Sequence, residues 1–588
     1  MRIHSTQQRH ARDGQRGVAL LYAVFGTVVV ASMVSVMFTM AGVSDRQSDV
    51  RRGRARASYV AEGALRTVVK DLQTALAAWE APPTTGVKTV AGVSVDYSVV
   101  PLGPQVQSTD ASGVVVLIQP YEVETSVRLD DVAERAHRIV NATWTPLFQF
   151  AVFYNDDLEI HAGPDMELRG RVHTNGDMYL GGGSTITLDT NYVRAVGGIL
   201  RKNKLTGNAA GGNVDIRQWV ADPFGSDPSE FYRMLSQSQL DALHQAYATS
   251  GYDSSFAGYD HEGNGSFLDP NDLLPFDLGA AAFWGPPDGY GGGVGQTVMT
   301  GAHGVREAVT PTIESLQMYD ADGAPGYYFD NAGLSIVVDP TGRTFTAYDG
   351  LGNDITAAVA PALSIGVVSD MRQSGSAADP VPTIEVDMQL LAGTGHFPAN
   401  GLLYAAHESM GSGTAARGIT LTNGAELQGA LTVASPSPVY VQGDYNVVDK
   451  KGASVIGDAV NLLSNAWTGS KRPGMLPEAT ETTYNFAMVT GSYDTIPIDP
   501  DNPGGGRYNG GLENLPRFHE NWTGVPCNIS GSFVNLADSQ FATGDWTYGG
   551  DRYTAPIRNW QYDPLFNSLD ELPPFTPMAV EARDVVSW

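Results

Sequence analysis

Asp260, Glu262, Asn264, Gly265 and Ser266, within "DHEGNGSFLDPND", set oxygen-bearing side chains at alternate positions ahead of a residue suited to a turn. That is the first half of a calcium loop, because a hard cation gathers many oxygens from a chain that has to bend around it. The twelfth residue is Asn271 where an EF-hand carries a bidentate Glu, so the EF-hand match fails there. Asp269 or Asp272 would have to complete a loop of another kind. The same residues also suit a plain acidic turn, in which Asx side chains bond their own backbone. Calcium is the one cofactor that the sequence suggests.

The other residues with chemical potential are less organised. His161, His173 and Asp177 fall in one block, on turns or alternating strand positions, without the spacing of a metal or nucleophile site. A His beside Asn-Gly reads as a hydrogen-bonding turn residue. There is no HExxH, GxSxG, P-loop or GxGxxG-then-helix unit, so the chain is read as a non-enzyme. The single Cys527 excludes an internal disulfide and any multi-cysteine zinc site. Net charge is −28 over 588 residues; the first 70 carry +7, leaving −35 on the remainder. A body so acidic repels nucleic acid, whose phosphates need Lys and Arg.

What must position these residues begins at the N-terminus. No charge appears from Val18 to Val43, a run of 26 residues, or about 39 Å of helix against a hydrocarbon core of about 30 Å. A cleaved signal peptide has a shorter apolar core. Beyond the run, Ala57, Ala61, Leu65, Val68, Leu72, Leu76 and Trp79 recur at steps of three and four, one apolar stripe on a continuing helix. Gly53 and Gly63 weaken that helix. Its first half would lie in lipid and its second half on a soluble domain.

A basic leader ending in Arg16-Gly17, abutting the apolar run, resembles a prepilin peptidase site with the cut between Gly17 and Val18. The later "RARASYVAEGALR" is similar to the helix end of PilX-type minor pilins and GspK-type pseudopilins. The resemblance covers residues 1–80. It implies prepilin peptidase and other pilin or pseudopilin subunits as partners. It also implies an inner-membrane helix, with the bulk of the chain exported to the periplasm or cell surface. Major pilins carry a Glu at the fifth residue of the mature helix, and here Tyr22 stands there. GspK-type tip subunits share that absence, which points to a tip position. Arginines flank both ends of the run, so charge alone does not choose the orientation; the long C-terminal part does.

After Pro82 the chain is rich in Gly and Pro, which number 67 and 34 in the whole sequence, and its apolar segments are short and β-branched. Residues 84–150 read as the small antiparallel sheet of the pilin ground plan. In 151–214 and again in 401–480, apolar pairs such as Met166/Leu168, Ile186/Leu188, Ile419/Leu421 and Val439/Val441 recur between Gly and Asn turns. That pattern predicts two blocks of right-handed β-solenoid, with a sandwich as the competing reading. Residues 215–400 read as a loop-rich α/β insert with a helix over "DPSEFYRMLSQSQLDALHQAYATS" and a hinge at "GPPDGYGGGVG". Residues 481–588 read as an aromatic, Gly-rich region that caps the solenoid or stacks on carbohydrate. The expected fold is thus a long N-terminal helix followed by mainly β structure. The expected role is that of a minor pilin or pseudopilin-like subunit at a fibre tip, its large head contacting a surface. The alternative is an anchored or secreted β-helix that binds or acts on polysaccharide.

Overall fold

The computed structural model describes residues 10–77, 80–109, 113–129, 132–217, 231–234, 298–301, 305–339, 343–370, 380–408, 417–469, 475–544, 546 and 552–584. One helix, α1 (His10–Ala77), spans 68 residues without a break. Through the uncharged run it is exposed; Tyr22 and Phe38 are 72% and 76% accessible. It is long and apolar enough to cross a membrane. Beyond the run its character changes. Ala57, Ala61, Leu65, Val68 and Leu72 are fully buried and Leu76 nearly so, so the predicted stripe finds its partner as far as Leu76; Trp79 lies outside the described residues.

That partner is a six-stranded antiparallel sheet. Its strands Thr85–Val90, Val93–Pro101, Val115–Leu129 and Val132–Pro146 follow chain order, with Val106–Thr109 pairing beside Val115–Leu129. Val99, Tyr121, Val123, Val140 and Ala142 pack on Leu65, Val68 and Leu72 of α1. A Cβ on Gly63 would lie 3.3 Å from Val90, and one on Gly53 would lie 3.4 Å from Val132. The two glycines that cost helix propensity therefore stand where the sheet approaches most closely. Arg138 and Arg54 pair with Glu62 and Glu134 across the same boundary, and Lys88 reaches Asp71 at 2.6 Å. The sixth strand is a correction to the boundaries 84–150. It is Met578–Asp584, from the far end of the chain, pairing antiparallel with Val132–Pro146. Without it that strand would leave a row of unpaired backbone groups at an edge.

The head is a stack of parallel strands wound in coils. Paired strands in the first block are offset by 20 or 21 residues, and the shortest turns of the later block by 20 to 22. Among the described residues the longest sheet holds eleven strands and joins both blocks. From its fourth strand, Phe150–Tyr154, one arm runs through Arg171–Thr174 and Val193–Ala195 to Val298–Met299. On its other side Phe150–Tyr154 pairs in parallel with Phe533–Asn535. From there the second, longer arm runs back through Ala487–Thr490, Ala453–Gly457, Leu431–Ala434 and Leu402–His407 to Leu334–Val338. The chain therefore enters inside the sheet, builds a short arm, crosses to the far end, and winds back until it meets its own starting strand.

Several expectations change with this path. Residues 215–400 are not simply an insert between two blocks. Leu334–Val338 and Pro380–Asp387 are stack strands, and Leu334, Ile336, Val338, Ile384 and Val386 alternate into the core. Phe231–Met234, predicted as helix, pairs antiparallel with Asn213–Arg217 and covers what would otherwise be an open edge. The rest of that helix, the "GPPDGYGGGVG" hinge and the calcium-like loop lie outside the described residues. Residues 481–588 do more than cap. Phe518, Trp522, Phe533, Tyr553 and Trp560 fill the interior of the coil where the arms meet, with Phe533 and Trp560 stacked at 5.1 Å. They are buried because a coil closed from two distant segments needs bulk to fill its centre, so they offer no stacking platform for carbohydrate.

Candidate functional site

Of the residues singled out in the sequence, Gly17 and Val18 lie within α1, with Val18 half exposed and Tyr22 turned to solvent four residues on. The helix runs through the proposed cut without a cap or a break. Asp260, Glu262, Asn264, Ser266 and Asp269 lie outside the described residues. Among the described residues no group of three or more His, Cys, Asp or Glu is placed to hold a metal ion.

His161, His173 and Asp177 do not converge. His173 is buried, stacked on Phe153 with 5.1 Å between ring centres, and its Nε2 meets Asn175 at 3.2 Å. Burial lowers its pKa to about 4, so it is a neutral packing residue. Asp177 belongs to a ladder. Its own N–H donates to Asp157 Oδ1 at 2.7 Å, and its Oδ1 accepts the N–H of Gly198 at 2.7 Å. Asp165 does the same for Thr185, and Asn175 bonds to Asn155 at 3.0 Å. Each turn carboxylate or amide thus serves the next coil, which accounts for acidic turns without invoking catalysis. Cys527 is buried, and burial pushes its thiol well above the usual range, so it is inert.

Two faces of the stack are covered by the chain itself. Leu316 and Tyr328 pack over the outer side of the eleven-stranded sheet against Tyr404, Ile456 and Val489, and the Tyr404 hydroxyl donates to Leu316 O at 2.9 Å. On a second sheet of the stack, made of Leu363–Ser369, Pro380–Asp387, Gly418–Thr422, Val439–Gln442, Val460–Leu463 and Arg517–Phe518, Val368, Val381 and Trp467 pack against Tyr440 and Leu463. A third face is open and polar. Its two sheets end at Ile557–Tyr562 and at Met166–Arg169, which lie side by side without forming a ladder. A cause is visible at Gly170. It has φ +93°, and a Cβ there would come within 2.8 Å of the Tyr562 ring, so Tyr562 wedges into the place a regular pairing would occupy.

A groove of about 440 Å³ follows this seam. Glu167 and Arg169 form one wall and pair with each other at 2.8 Å. The other wall carries Asn485, Asn528, Asn559 and Gln561. Asn559 donates to Asn528 at 2.8 Å, and Asn528 donates to Glu481 at 3.1 Å. Such a surface offers alternating donors and acceptors with little net charge, suited to hydrogen-bonding a polar, uncharged partner. No sequence motif announces the groove, because its walls come from strands far apart in the chain.

No protein-family model matches this chain, and no curated protein matches it. Among solved structures it is similar to the competence-associated pilin ComZ from Thermus thermophilus. The match covers 91% of this chain and 98% of that one, at 10% identity and a TM-score of 0.23. A score so low carries no argument about fold or function, which leaves the residues and geometry of this chain to supply it.

Proposed function

We propose that this chain is a minor-pilin- or pseudopilin-like structural subunit, anchored in the inner membrane until assembly and then placed at the tip of a fibre. It works by assembly rather than turnover. Prepilin peptidase releases Val18, the apolar half of α1 joins the helical core of neighbouring subunits, and the acidic head faces outward to contact a surface. The single observation that carries this reading is the division of α1. One unbroken helix exposes an uncharged first half and buries a stripe of its second half on an antiparallel sheet. A helix stabilised only at one end leaves the other free to pack in lipid or among sister helices. The bare polar groove at the seam supports the head as a contact surface, and burial takes Phe518, Trp522, Phe533, Tyr553 and Trp560 out of reach of carbohydrate stacking.

Intact-mass measurement of the protein from its native membrane tests the first step. The expected chain begins at Val18, and Gly17→Leu leaves it uncut. A chain that keeps its leader, or is cut beyond the apolar run near Ala41, overturns the assignment.

A further inference from the structure

The two arms also meet without a ladder where the six-stranded sheet of the stack gives way to the three-stranded sheet of Ile199–Leu200, Met178–Leu180 and Leu158–Ile160. The sheets end at Arg517–Phe518 and at Leu158–Ile160, and the turn Leu512–Asn514 packs against the latter. Glu159, from the short arm, and Glu513, from that turn of the long arm, are 1% and 5% exposed. The His161 N–H donates to Glu513 Oε2 at 3.4 Å, so one arm is bonded to the other through a carboxyl group. Neither oxygen of Glu159 has a well-formed hydrogen bond. Of the basic groups beside Glu159, Lys204 is held by Asp157 at 2.7 Å and Asp494 at 3.5 Å, and His161 Nδ1 stands 3.9 Å from Glu159 Oε2.

We propose that Glu159 and Glu513 form a proton-dependent clasp between the two arms of the head, closed while both carboxyls are neutral and loosened when they ionise. Two like charges buried in one joint repel each other and lack the solvation that water would give them.

The surroundings set the direction. Burial is the largest influence on both groups, and charge on Glu159 adds to the rise at Glu513, so both are pushed up to about 7. Thr495 and Lys204 oppose this at Glu159, while the residue's own N–H, Arg558 and the His161 N–H oppose it at Glu513. Asp157 and Asp494 add to the rise at Glu159. Of the other facing groups, Asp156 and Asp538 are themselves raised by burial, and Tyr154 and Tyr508 stay neutral. His161 cannot compensate, because burial, with some help from Arg201, lowers its own pKa.

The ordinary value for both glutamates is 4.5. Between there and about 7 the folded head holds protons that an unfolded chain has lost, so stability falls as pH rises through that window. Below it both states are protonated and the contribution vanishes.

Hydrogen exchange on the full-length protein in detergent tests the clasp, with rates corrected for intrinsic pH dependence. Segments 157–163 and 508–515 are expected to lose protection by about tenfold or more between about pH 5.5 and about pH 8.5. The double variant Glu159→Gln/Glu513→Gln keeps neutral, isosteric groups and is expected to stay protected at both. Unchanged protection in the unmodified protein overturns the proposal, as does the same pH dependence in the double variant. The unmodified protein alone suffices should the double variant fail to fold.

Discussion

At the scale of single residues, polar groups that look chemical in the sequence mostly turn out to serve the backbone. The ladder of Asp157, Asp165 and Asp177 satisfies N–H groups one coil on, and Asn155 and Asn175 pair across the same interval, a use that spacing of 20 residues encodes but a short motif search does not reveal. Tyr22 is the residue with the widest consequence. A mature N-terminal amine buried in a helical core is costly unless paired, and a phenol can accept a hydrogen bond from it without neutralising it. Under the proposed role the chain is therefore expected at few copies and at an end of a fibre. Gold labelling of sheared fibres checks this; labels spaced evenly along the shaft contradict it. Tyr22→Glu supplies the missing carboxylate and should raise the copy number per fibre.

Among elements, α1 and its sheet were the most legible part of the molecule. A stripe at steps of three and four has only one common cause, and Ala57 through Leu76 are buried as that stripe requires. The sixth strand was not legible, because Met578–Asp584 lies hundreds of residues from the strand it completes and "MAVEARD" alternates no more clearly than many surface segments. The helix face should be energetically sensitive. Leu72→Ala removes a fully buried side chain and is expected to cost about 2–5 kcal/mol. Its effect should fall on the small sheet, read as faster exchange in residues 117–127 and 138–146, while the coils of the head remain protected. Equal loss throughout would show that helix, sheet and stack unfold as one unit.

For the whole molecule, the recurring apolar pairs marked short strands that stack in parallel, but not the route through them. Closure depends on Phe533–Asn535 meeting Phe150–Tyr154, and the Ser532 hydroxyl bonds to Phe150 O across 382 residues. No local pattern announces such a partner, and the seam groove and the Glu159–Glu513 pair inherit the same obscurity. The closure is testable. Val534 is fully buried at the join, and Val534→Asp would place a carboxylate there without a partner. Exchange should then rise together in Phe150–Tyr154 and Ala487–Thr490, strands from opposite arms. A change confined to one of them would show that the join is not shared.

The place of attachment has a mechanical meaning. The chain leaves the small sheet at Pro146, enters the stack at the fourth strand of its eleven-stranded sheet, and returns to Met578–Asp584 beside the strand it left. Tension applied through α1 while the head is held would therefore pass along two neighbouring crossings rather than one. One is covalent. The other loads the seven residue pairs between Met578–Asp584 and Val140–Pro146 lengthwise, so that their hydrogen bonds must yield together and not one after another.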